Sequence, residues 1–474
     1  MTEEGKMTKK KAEESTIEEK LNNALISVDK QPYKIPKNWC WVRLDSIVSI
    51  VTGKKNANYA DDNGAYTFFT CAMKPVKCNN YSFSGESLIV PGNGIIGYVF
   101  YYDGKFEAYQ RTYVLQSFNK KINMKYLYYH FFCFWKDYNK FKQYGSVINF
   151  IKMKNFLNYP VPLPPLAEQE RIVNKLDNYI SKLDEAKEKL EKVVDTYNYR
   201  KNLILYRAFT GQLTKNWRKE NPNIESVDIL LEKINQEKQN LKLNKTQKDR
   251  GFIKEEEIPY NIPNNWKWIK LKDIILYDVG GGTPSTKIDS YWAGNIPWMS
   301  VKDFANNKDG VIIDTIDHIS EEGVKNSSTN IIDENAIILC VRMGLGKYAK
   351  LSRPMAINQD LRAIWLSKNI NERFFLYYYS TLKIIGRGTT VEGIKKEQLF
   401  AKFIPLPPLE EQKEIVKILD SVLSKEKQVK EIAEKEIERV EDLKKNLLTR
   451  AFGGILGTND PNEENSIELL KSVL

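Results

Sequence analysis

The sequence predicts an α+β protein: two globular mixed α/β domains separated by two long helices, in a pseudo-two-fold, pseudo-circular arrangement. Three observations predict it. First, signature segments occur twice in the same order. Ile35-Pro36-Lys37-Asn38-Trp39-Cys40-Trp41 returns as Ile262-Pro263-Asn264-Asn265-Trp266-Lys267-Trp268, shifted by 227 positions. Pro162-Leu163-Pro164-Pro165-Leu166-Ala167-Glu168-Gln169 returns as Pro405-Leu406-Pro407-Pro408-Leu409-Glu410-Glu411-Gln412, shifted by 243. Arg207-Ala208-Phe209-Thr210-Gly211 returns as Arg450-Ala451-Phe452-Gly453-Gly454, also shifted by 243. Second, two kinds of sequence alternate: one rich in aromatic, β-branched and glycine residues, the other built from Glu, Lys, Leu and Ile. Third, Gln169 to Arg207 and Gln412 to Arg450 each span 38 positions, so the 16 residues separating the two shifts fall in the globular parts.

The elements follow in chain order. Residues 1–31 hold Ser15-Thr16-Ile17-Glu18-Glu19-Lys20-Leu21, a capped helix start. Residues 32–165 form a first globular domain, where runs such as Ser87-Leu88-Ile89-Val90 between turn residues read as strands. Residues 166–258 form a central helical spacer. Its helix follows Pro164-Pro165, because proline fits the first turn of a helix but not its interior. Ile172, Leu176, Tyr179, Leu183, Ala186, Leu190, Val193 and Tyr197 alternate steps of four and three, a heptad seam for another helix. Gly211 marks its exit.

Residues 259–408 form the second globular domain, with Ala336-Ile337-Ile338-Leu339-Cys340 as a strand, and residues 409–474 repeat the spacer. There Ile415, Leu419, Val422, Val429, Ala433, Val440 and Leu447 continue the seam, Glu426 and Glu436 interrupt it, and Gly453-Gly454 mark the exit. Ser226-Val227-Asp228-Ile229-Leu230 is echoed by Ser466-Ile467-Glu468-Leu469-Leu470. The C-terminal and N-terminal segments together are therefore expected to imitate the stretch from Ser226 to Leu243, closing the chain on itself.

At 474 residues the chain has room for about three domains. A hydrophobic fraction of 42% with 26 Tyr and 20 Phe fits a folded protein. No apolar run approaches the ~20 residues that cross a bilayer, and Met1-Thr2-Glu3-Glu4-Gly5-Lys6 lacks the apolar core of a secretion signal. A cytoplasmic protein with no membrane partner is expected. The five cysteines are odd in number and form no CxxC pair, so free, mostly buried thiols are expected and no metal site. The net charge is +11. From Ile35 to Pro160 there are 16 Lys and Arg against 7 Asp and Glu, and from Ile262 to Pro405 there are 19 against 15. The helical stretch Leu166 to Lys215 holds 10 against 8. Positive charge concentrated in the globular parts suits contact with phosphates.

With its two aromatic α/β domains, each ending in Pro-Leu-Pro-Pro-Leu-x-Glu-Gln and a long helix, the chain closely resembles the specificity subunits of type I restriction–modification systems. Gly281-Gly282-Thr283-Pro284-Ser285-Thr286, continued by Tyr291-Trp292-Ala293-Gly294-Asn295-Ile296-Pro297-Trp298, resembles the opening of a target recognition domain in that family. Gly145-Ser146 and Gly388-Thr389, leading to Ile151-Lys152 and Ile394-Lys395, resemble the family's pattern before the proline-rich stretch. The first domain departs from it, with Thr52-Gly53-Lys54-Lys55-Asn56 in place of the Gly-Gly-Thr-Pro-Ser motif.

The resemblance implies that each domain reads one half of a split target in double-stranded DNA. The long helices would pair antiparallel as a coiled coil, fix the gap between half-sites and bind two modification (methyltransferase) subunits. Those partners would bring S-adenosylmethionine and methylate adenine, and restriction (motor and nuclease) subunits would join them. This chain itself would need no cofactor. A 38-residue helix spans about 57 Å, against about 35 Å per turn of duplex.

Base reading calls for Arg, Lys, Asn or Gln on exposed loops, with Gly allowing close backbone approach. The first domain offers Lys54, Lys55, Asn56, Lys74, Lys77, Asn93, Arg111 and Gln143; the second offers Thr283, Ser285, Thr286, Lys287, Lys302, Arg342, Lys347, Asn358, Gln359 and Arg387. For each, a solvated surface role is the alternative. Glu168, Gln169, Glu411 and Gln412 recur at the helix starts, where either capping or a partner-subunit contact would place them. Trp39, Trp41, Trp266 and Trp268 recur as core anchors rather than stacking platforms, and His130 and His318 read as structural. No methyltransferase motif, dinucleotide loop or Walker sequence is present, so no catalytic residue is assigned. Two other readings stay open at this point: a methyltransferase or nuclease with an unrecognised site, and a coiled-coil scaffold that binds only proteins.

Overall fold

The computed structural model describes residues 16–145, 147–241, 258–306, 310–386 and 393–474. The chain divides into two compact units, residues 1–192 with 433–474, and residues 193–432. Each unit has its own core and the same plan.

In the first unit, strands Cys40–Arg43 and Pro160–Leu163 pair antiparallel and bring the two ends of the globular part together. Between them lie two four-stranded sheets. One runs Val48–Thr52, Thr112–Ser117, Ser87–Pro91, Phe100–Tyr102; the other runs Val76–Cys78, Tyr66–Phe69, Lys105–Ala108, Phe83–Ser84. Tyr66–Phe69 lies parallel to Lys105–Ala108, so the second sheet is mixed. Ser87–Pro91 is buried along its whole length, which accounts for its unbroken apolar run. The aromatic helix Met124–Asn139, N-capped by the Asn123 side chain, buries Tyr126, Phe131 and Trp135 against this scaffold.

The second unit repeats the design. Lys267–Lys270 pairs with Phe403–Leu406. A five-stranded sheet runs Ile275–Gly280, Leu361–Leu366, Ile337–Cys340, Tyr348–Leu351, Val311–Ile312, and a four-stranded one runs Asp317–Ile319, Ile296–Met299, Met355–Ile357, Asn330–Ile332. Helix Glu372–Tyr379 takes the place of Met124–Asn139, again with an Asn cap, Asn371.

The three repeated motifs meet inside each unit. Trp39 Nε1 donates to Glu168 Oε2 at 2.7 Å, and Trp266 Nε1 donates to Glu411 Oε2 at 2.8 Å. Gly454 has φ +70° and a Cβ there would stand 2.3 Å from Pro36 Cγ; Gly211 has φ +72° and a Cβ would stand 2.4 Å from Pro263 Cγ. Only glycine fits both the left-handed turn and the proline against it. Phe452 packs on Tyr126 at 5.3 Å between centroids, and Phe209 packs on Tyr378 at 5.0 Å. The first unit therefore takes its Arg-Ala-Phe-x-Gly segment from the C-terminal helix, and the second takes it from the central one.

The ends close as the sequence echo predicts. Helix Ile17–Ala24, with a capping box of Thr16 and Glu19, and helix Ser466–Val473 both contribute to the core of the first unit. Lys20 Nζ donates to Leu474 O at 3.1 Å. In the second unit one continuous helix, Val227–Asn240, occupies the equivalent place, with Ser226 as its cap and Leu230 buried. At the C-terminal echo the cap is Asn465 rather than Ser466, because Asn465 accepts from Ile467 N and Ser466 is buried.

Two expectations about the helices are corrected. The central one is interrupted at Thr196, giving Leu166–Asp195 and Tyr197–Phe209, whereas Leu409–Phe452 runs unbroken for 44 residues. The Arg200 guanidinium takes the Val193 carbonyl at 3.1 Å and the Thr196 hydroxyl at 2.5 Å, removing an acceptor from the helical ladder. The helices do pair antiparallel within each unit: Lys187 to Glu441 at 2.6 Å and Asp184 to Lys444 in the first, Arg200 to Glu426 at 2.8 Å in the second. The seam is buried at Ile172, Leu176, Ile415, Leu419, Ala433 and Val440, but not along its whole length. Tyr179 and Val429 are exposed at 45% and 48%, while Glu426 sits in the seam as the partner of Arg200.

Candidate nucleic-acid interface

In each unit loops are drawn together at the ends of the two sheets. The first follows strand Val48–Thr52. Gly53 lies so close to the strand beyond it that a Cβ would stand 2.0 Å from Ala108 O, and Gln110 N donates to Lys55 O at 2.9 Å. In the second unit Gly281 approaches Ile357 O in the same way, at 2.1 Å, and Gly282 N donates to Ile357 O at 3.0 Å. The indoles of Trp298 and Trp292 hold this loop from below by donating to Gly282 O at 3.0 Å and Ser285 O at 3.1 Å. The Gly-Gly-Thr-Pro-Ser segment and the Tyr-Trp stretch after it thus form one device.

The second loop is the hairpin tip after Ser87–Pro91 or Ile337–Cys340. Gly92 N donates to Arg111 O at 2.8 Å; Val341 N donates to Asp360 O at 2.9 Å. Asn93 bridges to Phe150, and Arg342 bridges to Gly393. Ile151 N donates to Gly92 O at 2.8 Å, and Ile394 N to Val341 O at 2.9 Å. These matched bonds make Asn93 the counterpart of Arg342. Ladder pairs Thr52 with Tyr113 and Gly280 with Arg362 likewise make Arg111 the counterpart of Asp360, and Gln110 that of Gln359. Met343, at φ +51°, is one of two non-glycine residues with positive φ among those described, and it is 57% exposed at the hairpin tip. Strain of this kind gathers at functional sites.

The loops bring together Lys54, Lys55, Asn56, Asn93 and Arg111 in the first unit, and Thr283, Arg342, Lys347 and Gln359 in the second. Lys55 also lies over the Tyr59 ring at 4.5 Å. Cys71 donates to Arg111 O at 3.4 Å, so the loop bearing Lys74 joins the cluster. Gln143 stands at the base of the Tyr144–Phe150 loop, and a cavity of about 360 Å³ opens between Asn93, Gln110, Arg111 and Phe150. Ser285, Thr286 and Lys287 are exposed on a loop of the second unit, and Lys302 is exposed on the 3-10 helix Val301–Asn306 instead of a loop. Lys77 is exposed on the edge strand Val76–Cys78 instead of a loop. Arg387, with Ser146 and Gly388-Thr389, lies outside the described residues.

Asn358 is 5% exposed, its amide donating to Asp360 Oδ2 at 3.2 Å while its Oδ1 accepts from Asp360 N at 3.0 Å. It shapes the turn rather than facing outward. The sequence reading missed Gln110. Its signal was present: Tyr109-Gln110-Arg111 and Asn358-Gln359-Asp360 are matching segments without a flanking motif to flag them.

Glu168, Gln169, Glu411 and Gln412, for which capping and a partner-subunit contact were both open, bond within their own units. All four are fully buried. Thr458 and Asn459 donate to Glu168 at 3.2 and 2.9 Å. Thr214 donates to Glu411 Oε1 at 2.7 Å and the Arg218 guanidinium pairs with the same oxygen. Gln169 and Gln412 accept from Asn123 N and Asn371 N at 3.0 and 2.9 Å, and donate back to Pro164 O and Pro407 O. The recurring Glu-Gln pair ties the long helix to the domain it follows.

Trp39, Trp41 and Trp266 are buried, as expected of core anchors; Trp268 is half-buried and its indole donates to Tyr260 O at 3.2 Å. The cysteines are free; Cys40, Cys78 and Cys340 are buried, and burial pushes the Cys340 thiol up to about 12. Among the described residues no helix is long and apolar enough to cross a membrane, and no group of three His, Cys, Asp or Glu is placed to hold a metal ion.

Two units on one plan, each with a pair of antiparallel helices and each presenting different polar loops, define a two-domain recognition protein. The chain belongs to the family of the type I restriction modification DNA specificity domain, which matches residues 36–195 and again 263–439. It is 26% identical over 434 residues to the EcoDI specificity subunit of Escherichia coli, covering 89% of this chain and 90% of that protein. It is 36% identical over 183 residues to the MjaIX specificity subunit of Methanocaldococcus jannaschii, covering 37% and 42%. The fold is similar to that of the HsdS subunit from Thermoanaerobacter tengcongensis, with a TM-score of 0.55, 17% identity and coverage of 90% and 100%. A chain from a structure on complex assembly and conformational transition of a type I R-M system gives 0.61, with 18% identity and the same coverage.

Proposed function

We propose that this chain is the DNA-specificity subunit of a type I restriction–modification complex, each globular domain (residues 32–165 and 259–408) reading one half of a split, asymmetric target. The observation that carries this is the pair of loop clusters built on one scaffold with different side chains at matched positions. Lys55 faces Thr283 in that correspondence, Asn93 faces Arg342, and Arg111 faces Asp360. Equivalent frames with different donors and acceptors read different bases, because sequence is read by side chains on base edges.

The spacer regions, residues 166–258 and 409–474, set the gap between half-sites and carry two modification subunits. Those subunits supply S-adenosylmethionine and methylate adenine; restriction subunits join them to cut. The chain itself performs no chemistry. Incubation of the purified chain alone with DNA and S-adenosylmethionine tests this, with no methyl transfer expected until modification subunits are added. Transfer by the chain alone overturns the proposal.

A further inference from the structure

We infer that Asp360 is the positioning residue of Arg342, and that this pair makes the second unit read a guanine in its half-site. The inference rests on the reading of the chain as a DNA-specificity subunit. Asp360 is held on several sides: its backbone N–H donates to Asn358 Oδ1 at 3.0 Å, and its Oδ2 accepts from Asn358 Nδ2 at 3.2 Å. Its carbonyl accepts from Val341 N at 2.9 Å and Arg342 N at 3.3 Å, docking the hairpin tip on the turn. The other carboxylate oxygen, Oδ1, stands 3.4 Å from Arg342 Nη1. Asp360 is nearly buried, while the Arg342 side chain is 44% exposed, so the carboxylate forms an ion pair with Nη1 of a guanidinium that is still open to solvent.

A guanidinium has five donors in a rigid fork, so engaging one edge leaves the others aimed as a set. Beside it Thr283 Oγ1 donates to Gln359 Oε1. That contact engages one of the amide oxygen's two lone pairs and neither of the amide's N–H donors. The charged member of the cluster, Arg342, has donors only. In the major groove the edge that offers two adjacent acceptors, O6 and N7, is guanine, and arginine is its commonest partner. In the first unit the pair is absent: the cation Arg111 occupies the Asp360 position and the neutral Asn93 occupies the Arg342 position, so that half-site is read by a different pairing.

The test uses the complex of the full chain with its modification subunits. Methylome sequencing first defines the split motif, and Arg342→Ala then identifies the base pair that position reads, by loss of about ten- to a hundredfold in discrimination there. The inference expects that pair to be G·C. Asp360→Asn is expected to relax discrimination at the same base pair by about three- to tenfold, leaving the other half-site and the thermal midpoint unchanged. Asp360→Glu is expected to restore part of it. Weakening by Asp360→Asn that is equal on every sequence, or an A·T pair at the Arg342 position, overturns the inference alone. A wild-type complex that modifies no split motif overturns the reading on which it rests.

Discussion

Glu168 and Glu411 occupy matched places but solve the cost of a buried carboxylate differently. Glu411 has the Arg218 guanidinium beside it, in addition to Trp266 and Thr214; Glu168 accepts from Trp39, Thr458 and Asn459, all neutral. Removing one partner of a buried ion pair strands the other charge, so Glu411→Ala is expected to destabilise the second unit by about 3–5 kcal/mol. Glu168→Gln removes one acceptor among neutral donors and is expected to cost the first unit about 1–3 kcal/mol. Urea unfolding midpoints of the two variants check the order; an equal effect contradicts it.

The same scale holds a pH effect. His130 is buried among Phe134, Tyr159 and Phe452, and desolvation lowers its pKa from 6.5 to about 3. The folded state keeps the ring neutral while the unfolded chain binds a proton below 6.5. Stability of the first unit is therefore full above that pH and falls between 6.5 and 3, by at most about 1.4 kcal/mol per pH unit from this group. His130→Phe is expected to flatten that part of the stability–pH curve; an unchanged slope contradicts the assignment. Recurrence of Trp and Glu-Gln was legible in the sequence. Their pairing was not, because Trp39 and Glu168 are 129 positions apart and Trp266 and Glu411 are 145 apart.

Among elements, the helix pair carries the most direct consequence. Lys187 meets Glu441 and Asp184 meets Lys444, so the residue opposite Leu190 is near Glu438. Inserting four residues after Leu190 and four after Glu438 keeps the antiparallel register and lengthens the pair by about 6 Å, roughly two base pairs of duplex. The preferred gap between half-sites is expected to widen accordingly, with both half-site sequences unchanged; altered half-sites at an unchanged gap contradict the spacer role. Helix existence and exits were readable from periodicity and glycine. Tyr179 and Val429 keep the apolar period but stay exposed, because period alone does not fix which turns of a helix have a partner beside them. The loop clusters were half legible: glycine and cation content marked them, but Lys77 on an edge strand and Asn358 inside a turn carry the same residue types in places that only the fold distinguishes.

Over the whole molecule, the repeat is displaced from the folding unit. Each unit borrows its closing phenylalanine from the other repeat's helix, and the first unit is completed by the two chain ends. Leu470 is fully buried there, in the place Leu230 holds in the second unit. Leu470→Ala is expected to cost the first unit about 2–5 kcal/mol while leaving the second intact, and Leu230→Ala to do the reverse. Hydrogen exchange resolved along the chain separates the two; protection lost in both units from either variant contradicts independent cores.

The central claim is that two unlike readers on one frame share a single fixed gap. Methylome sequencing of a host expressing this chain with its modification subunits tests it most directly. One asymmetric split motif is expected, its two half-sites different and its gap constant, with adenine methylation on both strands. A continuous motif, a symmetric one, or methylation independent of this chain would contradict it.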